Sequence, residues 1–288
     1  MYQLFIDSNC ELWHTTVKEL GLNVIRMPYI MDSDELMYYD MGENTDFKAF
    51  FDAMKAGVVP KTQALNEYDY VQYFEPVLAR GEDIYYVTFS HKLSGTFAAM
   101  DAAIASLKEK YPDREIRTKD SKSISTGSGM ISYYAALEWK KGATMDEMDA
   151  FLDEFIPHVA TFFVVDSLTY LYRGGRISGV TKVFGNMLGI KPIIHISDDG
   201  ELLTYSKPRT FKKAVKEMED IVREKEQDIS QYKVWVLHAN NEELALQFKQ
   251  DLIDEFGLTD VEFQPIGPVI GAHCGPGTIA VMFHCKER

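Results

Sequence analysis

Thr88-Phe89-Ser90-His91-Lys92-Leu93-Ser94-Gly95-Thr96 stands between an apolar run, Ile84-Tyr85-Tyr86-Val87, and a helix-like run, Phe97-Ala98-Ala99-Met100-Asp101-Ala102-Ala103-Ile104. A strand that ends in hydroxyl residues and a glycine, then opens a helix, is the unit that α/β folds repeat. It also gathers free backbone N–H groups and side-chain hydroxyls at one point, where the positive end of a helix dipole favours an anion. Two other readings of the same turn stay open. Ser94 is placed like an exposed nucleophile, and Ser94 or Thr96 is equally a plain helix cap.

The unit recurs on either side. Tyr2 to Asp7 reads as a first strand, followed by a helix near Leu12–Leu20 that Gly21 stops, and by a second apolar segment over Asn23–Met31. Phe47, Phe50, Phe51 and Met54 lie at helical spacing; Val59-Pro60-Lys61-Thr62-Gln63 reads as a loop, and Asn66 as the cap of a helix reaching Arg80. A short strand over Glu115–Lys119 leads through Ser125-Thr126-Gly127-Ser128-Gly129 into a helix to Trp139, and Thr144 with Glu147 forms a capping box for the next. Residues 1–160 are therefore expected to form a mostly parallel, doubly wound domain.

The pattern changes at residue 161. Pro192–Ser197 and Glu201–Ser206 flank Asp198-Asp199-Gly200, a hairpin signal. A charged helix over Thr210–Glu226, a strand at Val234–His238, a helix over Glu242–Phe256 and strands at Val261–Ile266 and Thr278–His284 follow. Residues 161–288 are expected to form an α+β domain with a mixed or antiparallel sheet.

Composition removes several function classes. Thirty basic against forty-four acidic residues leave a net charge of −14, which disfavours a nucleic-acid partner and an anionic membrane surface. Cys10, Cys274 and Cys285 are too few for a disulfide framework and form no CxxC pair. No apolar run approaches the ~20 residues that span a bilayer, and the first residues read as a strand rather than a signal peptide, so a soluble, cytoplasmic protein is expected.

The candidate chemistry is sparse. There is neither a GxGxxG after the first strand nor a P-loop, so no nucleotide cofactor is expected; Ser125 to Gly129 reads better as a tight turn than as a phosphate cradle. The seven histidines show no i, i+3 or i+4 pair, and Asp7 and Asp120, each ending a strand before a serine, read as turn caps; no metal is expected. Ser94 and His273 could meet as nucleophile and base, although Leu93-Ser94-Gly95 is not a GxSxG elbow and no third group is identifiable. His273 lies in the glycine-rich loop Gly271-Ala272-His273-Cys274-Gly275-Pro276-Gly277; Cys274 reads as a small buried thiol. Arg173, Arg176 and Arg209 are the notable cations. Arg209, after Pro208 and before a helix, is suited to a carboxylate or phosphate, whereas a surface ion pair is the plainer role for each.

Taken in order, Asp7-Ser8, Pro60-Lys61-Thr62, Leu93-Ser94-Gly95-Thr96, Leu171-Tyr172-Arg173-Gly174-Gly175-Arg176-Ile177-Ser178, Lys191-Pro192-Ile193, Arg209-Thr210 and Gly271 to Gly277 resemble the DegV family of bacterial fatty-acid-binding proteins. The resemblance covers essentially the whole chain. It implies two α/β domains with a long-chain fatty acid held in the cleft between them. In members of the FakB type the carboxylate is presented to a fatty acid kinase, which makes the acyl phosphate that feeds phospholipid synthesis. On this resemblance Thr62 and Ser94 would donate hydroxyl hydrogen bonds to the carboxylate, the Gly95 and Thr96 amides would lie near it, and His273 and Arg209 would reach the same region. Arg173 and Arg176 would serve for docking the kinase. The family's usual Thr-Ser-Gln-Pro-Ser run is here Thr62-Gln63-Ala64-Leu65-Asn66, which alters the polar neighbours of Thr62. His91, in the strand-end loop, is not carried over from the resemblance.

The physical chemistry points the same way. A carboxylate needs a few donors, and burying a tail supplies ~0.8 kcal/mol per CH₂.

Overall fold

The first strand, β1 (Tyr2–Asp7), is buried except at Gln3, as expected of a central strand covered on both faces. The computed structural model describes residues 2–33, 35–177 and 189–288, so Ser178 of the arginine-glycine segment lies outside the described residues. After β1 come α1 (His14–Leu20), β2 (Asn23–Ile25), β3 (Pro28–Ile30), β4 (Met37–Tyr38), α2 (Phe47–Lys55), β5 (Lys61–Thr62), α3 (Glu67–Ala79), β6 (Asp83–Thr88), α4 (Thr96–Lys110), β7 (Ile116–Asp120), α5 (Thr126–Lys140) and α6 (Met145–Phe155). Strands pair in the order β2-β1-β6-β7, all parallel. Local signals set the helix starts. The Asn66 side chain accepts from the Asp69 amide and Asp69 returns the bond at α3, and Thr144 and Glu147 do the same at α6.

The chain continues through β8 (Val159–Val164), α7 (Thr169–Arg173), β9 (Ile193–Ile196), β10 (Leu202–Ser206), α8 (Phe211–Lys225), β11 (Val234–His238), α9 (Glu242–Phe256), β12 (Val261–Pro265), α10 (Pro268–Cys274) and β13 (Ile279–His284). Among the described residues these strands form one six-stranded mixed sheet, β10-β9-β8-β13-β11-β12, parallel only between β11 and β12. Asp198-Asp199-Gly200 turns the β9–β10 hairpin, with Gly200 at φ 85°, a conformation that glycine adopts without cost. The chain is thus a mixed α/β protein with one parallel and one mixed sheet.

One apolar cluster joins both sheets, taking in Leu4 and Ile84 from the first and Phe163, Leu237 and Met282 from the second. The helix α5 runs between them. Its Gly129 lies so near the Cys10 carbonyl that a Cβ would come within 2.3 Å, while at Gly127 a Cβ would meet Thr161 Oγ1 at 2.2 Å. A second cluster packs α8 and α9 on the outer face of the mixed sheet, through Met218, Val222, Phe248 and Leu252.

Three local expectations need correction. Lys61-Thr62 is a short strand, not loop, because it pairs with β3 in a small sheet of order β4-β3-β5. His273 sits on a helix rather than in a loop, since Pro268 provides a preset first turn and Gly275, at φ 79°, ends it. Helix α1 starts at His14, with Trp13 as its N-cap, two residues after Leu12. All three cysteines are buried and free. Among the described residues no helix is long and apolar enough to cross a membrane.

Candidate functional site

The turn after β6, the short strand β5 and the helix α10 meet at a cavity between the two sheets, holding about 1010 Å³ of unfilled space with its open mouth included. Its walls are mainly apolar: Met27, Phe89 and Leu93 from the first half, Phe163, Leu202 and Met282 from the second.

Thr62 enters through the β3–β5 pairing, where it stands opposite Tyr29. Its Oγ1 lies 2.9 Å from His273 Nε2. The other face of the imidazole rests on the backbone of Gly174, where a Cβ would fall 2.2 Å from Nδ1. Any larger residue at 174 would displace the ring. Nδ1 is buried and has no partner among the described residues. Burial, helped by the nearby positive charge of Arg176, pushes the His273 pKa down to about 4. At neutral pH the imidazole is therefore uncharged, with one nitrogen donating and the other accepting.

Ser94 and Gly95 lie at the start of α4. The Ser94 hydroxyl accepts the Thr96 N–H at 3.2 Å, and Gly95 is the N-cap with no side-chain bond of its own. Thr96 is buried, and its hydroxyl is used inside the fold, 3.0 Å from the Tyr70 hydroxyl and donating to the Leu65 carbonyl at 3.3 Å. What Thr96 offers the cavity is therefore backbone rather than hydroxyl. Ser94 forms no hydrogen bond with His273, whose Nε2 is taken by Thr62.

The arginines are arranged otherwise than expected. Arg176, half-buried, lines the cavity; its Nε donates to the Leu93 carbonyl at 3.0 Å and its guanidinium also reaches the Gly174 carbonyl. It forms no ion pair with a carboxylate among the described residues, and burial lowers its pKa. Arg209 is exposed, directly before Thr210, whose hydroxyl caps α8, and does not line the cavity. Arg173 ends α7 and is exposed. With Gly175 at φ 70° the chain turns after α7, so Arg173 and Arg176, only three apart, take different faces. Sequence reading missed Asn9, Ser125 and Thr161 as polar cavity residues. The Asp7-Ser8-Asn9 strand end was the available signal.

The turn at Asp7 also matters for what lies behind the cavity. Asp7 accepts the Tyr86 hydroxyl and the Phe89 and Asn9 amides, which confirms it as a structural cap. Two residues beyond Asn9, the fully buried Glu11 accepts hydrogen bonds from the Ser125 hydroxyl and the Gly267 N–H.

The family model described as "Uncharacterised protein, DegV family" matches residues 1–286. The chain belongs to the DegV family. A DegV domain-containing protein of Clostridium perfringens is 33% identical, over 98% of this chain and 97% of that one. Among solved structures, a fatty acid binding DegV family protein of Streptococcus agalactiae is 26% identical with a TM-score of 0.85, covering 100% of this chain and 99% of that one. The Bacillus subtilis DegV, described as a fatty acid binding protein, is 25% identical with a TM-score of 0.84, covering 99% of each chain. This DegV chain thus has an apolar cavity with one cationic, hydroxyl-rich wall between its two sheets.

Proposed function

We propose that this DegV protein binds a long-chain fatty acid in the cavity and presents its carboxylate to a fatty acid kinase, as a cytoplasmic carrier without chemistry of its own. The observation that carries the reading is Arg176. A half-buried guanidinium without a carboxylate partner among the described residues, beside the neutral Thr62–His273 pair and above an apolar cavity, calls for an anion with a long apolar tail. Fatty acid binding in the Streptococcus agalactiae and Bacillus subtilis relatives supports it.

On this reading Thr62 and Ser94 supply hydrogen bonds to the carboxylate, His273 orients the Thr62 hydroxyl, the Gly95 and Thr96 backbone lies beside them, and Arg176 supplies charge. Arg176 replaces Arg209 in this role. Arg173 and Arg209, both exposed, are left to face the kinase. The alternative, an acyl hydrolase with Ser94 as nucleophile and His273 as base, draws no support from a Ser94 hydroxyl that bonds the Thr96 amide.

Native mass spectrometry of the purified protein tests the reading, with identification of whatever denaturation releases. A stoichiometric long-chain fatty acid is the expected result. A protein that is empty and cannot be loaded with any fatty acid overturns it.

A further inference from the structure

Glu11, 0% exposed, does not line the cavity, yet its carboxyl is bonded to both halves of the chain that do. Oε2 takes the hydroxyl of Ser125, in the turn that opens α5, and Oε1 takes the N–H of Gly267, the N-cap of α10. The backbone carbonyl of Glu11 accepts in addition from the side-chain amide of Gln264 on β12, at 2.8 Å. Ser125 is bent to this arrangement. At φ 54° and ψ −149° it forms no side-chain cap for α5, its hydroxyl being turned to Glu11 instead. Burial pushes the Glu11 pKa up to about 8, so the acid form prevails at neutral pH. Its two oxygens still serve both partners, one accepting from Gly267 and the other sharing a hydrogen bond with Ser125.

Helix α10 needs such an anchor. At seven residues it is too short to hold itself, so its seat is set by what touches it. Among the described residues two hydrogen bonds reach it from the first half of the chain, Glu11 at Gly267 and Thr62 at His273. These points are roughly 9 Å apart along a helix, one at each end. Between them the contacts are apolar and close, as at Gly271, where a Cβ would meet the Phe51 ring at 2.9 Å. Packing of that kind fixes distance, and the directed bonds fix register. Val269, Ile270, His273 and Cys274 of this helix all line the cavity.

We propose that Glu11 is a positioning residue: it fixes the start of α10, and through that helix the meeting of His273 with Thr62, and so governs affinity for a ligand it never touches. The same carboxyl holds Ser125, so the start of α5 and the start of α10 are tied to one another behind the cavity. For its ligand this rests on the acyl-binding reading above; for the helix it rests on the hydrogen bonds alone.

The test compares Glu11→Asp with Glu11→Gln. Aspartate accepts the left-handed φ of 54° at this position but is one methylene too short to reach both partners. Glutamine keeps the length, with an oxygen for Gly267 and an N–H for Ser125. Affinity for parinaric acid should fall about three- to tenfold in Glu11→Asp and be rescued in Glu11→Gln. Adding Thr62→Ala to Glu11→Asp should then cost far less than Thr62→Ala alone, because the pair has already parted. A residue that only stabilises the fold would lower the melting temperature and leave the two costs additive; additive costs, or unchanged affinity in Glu11→Asp, overturn the proposal. If Glu11→Asp does not fold, Gly267→Ala puts the same question from the other side. Its φ of −71° suits any residue, and its Cβ would lie 2.8 Å from Glu11 Oε1. If parinaric acid does not bind the unaltered protein, the acyl-binding reading falls, and the His273 imidazole shifts of the ligand-free variants decide for Glu11. Shifts moved in Glu11→Asp and restored in Glu11→Gln uphold the positioning role, and shifts unmoved in both overturn it.

Discussion

The Ser90 hydroxyl, just past the end of β6, donates to the carbonyl of Gly200 in the β9–β10 turn at 2.8 Å. This bond latches a hairpin of the mixed sheet onto the carboxyl edge of the parallel one. A Cβ on Gly200 would lie 2.3 Å from Ser90 Oγ, at a φ of 85°. Gly200→Ala should therefore lower stability by about 1–3 kcal/mol, and Ser90→Ala by about 1 kcal/mol. Urea unfolding midpoints measure both; equal stability of Gly200→Ala and the unaltered protein would mean that the turn does not bear on the sheet edge.

Thr62→Ala and Ser94→Ala should each weaken fatty acid binding by roughly 1–3 kcal/mol, the cost of leaving a buried carboxylate short of a donor. Titration calorimetry with one loaded acid gives the difference directly. Unchanged affinity in both variants would put the head group elsewhere in the cavity.

Gly174→Ala tests the seat of His273. Its φ is ordinary for any residue, at −72°, so backbone strain is not at issue. The new methyl instead meets the imidazole, 2.2 Å from Nδ1. Loss of affinity with a smaller loss of stability is expected, since ring and Thr62 hydroxyl would part. Imidazole proton shifts identical to those of the unaltered protein would contradict this.

Stability should depend on pH in a direction set by three buried groups. Burial pushes Glu11 up to about 8 and Asp7 up to about 7. Both are protonated in either state at low pH; as pH rises past the ordinary carboxyl range the unfolded chain ionises first, so their contribution is lost towards pH 7–8. His273, held down to about 4, acts oppositely: its contribution is full above 6.5 and is lost as pH falls towards 4. Between pH 6.5 and 8 the carboxyls act alone, at up to about 1.4 kcal/mol per pH unit each. The melting temperature should fall across that interval, and less steeply in Glu11→Gln, which keeps an acceptor for the Gly267 N–H. A Glu11→Gln profile parallel to that of the unaltered protein would remove Glu11 from the account.

The arginines should separate by assay. Arg176→Ala should reduce fatty acid affinity, because the guanidinium lines the cavity. Arg173→Ala should leave affinity intact and slow acyl phosphate formation by a fatty acid kinase. Kinase turnover with the loaded Arg173→Ala protein at the rate of the unaltered one would remove Arg173 from the docking surface.

Most of the framework was legible in the chain because its signals are local. Val234–His238 and Glu242–Phe256 were read to the residue from an apolar run and a helical period, and Asp198-Asp199-Gly200 announced its hairpin. Thr62, Ser94, Gly95, Thr96 and His273, to which the family resemblance points, line one cavity. What escaped is made by distant contacts. Two residues of strand, Lys61 and Thr62, carry no periodicity, and their pairing with Tyr29 and Ile30 depends on residues some thirty positions away. Helix α10 is too short, at seven residues, to show a period among its glycines. Arg176 reaches the cavity through the turn at Gly174-Gly175, and which face that turn gives it is not written in the local pattern.

Helix α5 has no side of its own to show to water until its last residue: from Thr126 to Trp139 every position is buried or half-buried. On one flank it meets Cys10 and Leu12, and on the other Thr161 and Met282. The first flank is built from neighbours earlier in the chain, whereas the second is shared by β8 and by β13, which inserts between β8 and β11. The helix therefore joins contacts of very different sequence separation, and its packing against β13 is a long-range contact that closes slowly compared with the local ones.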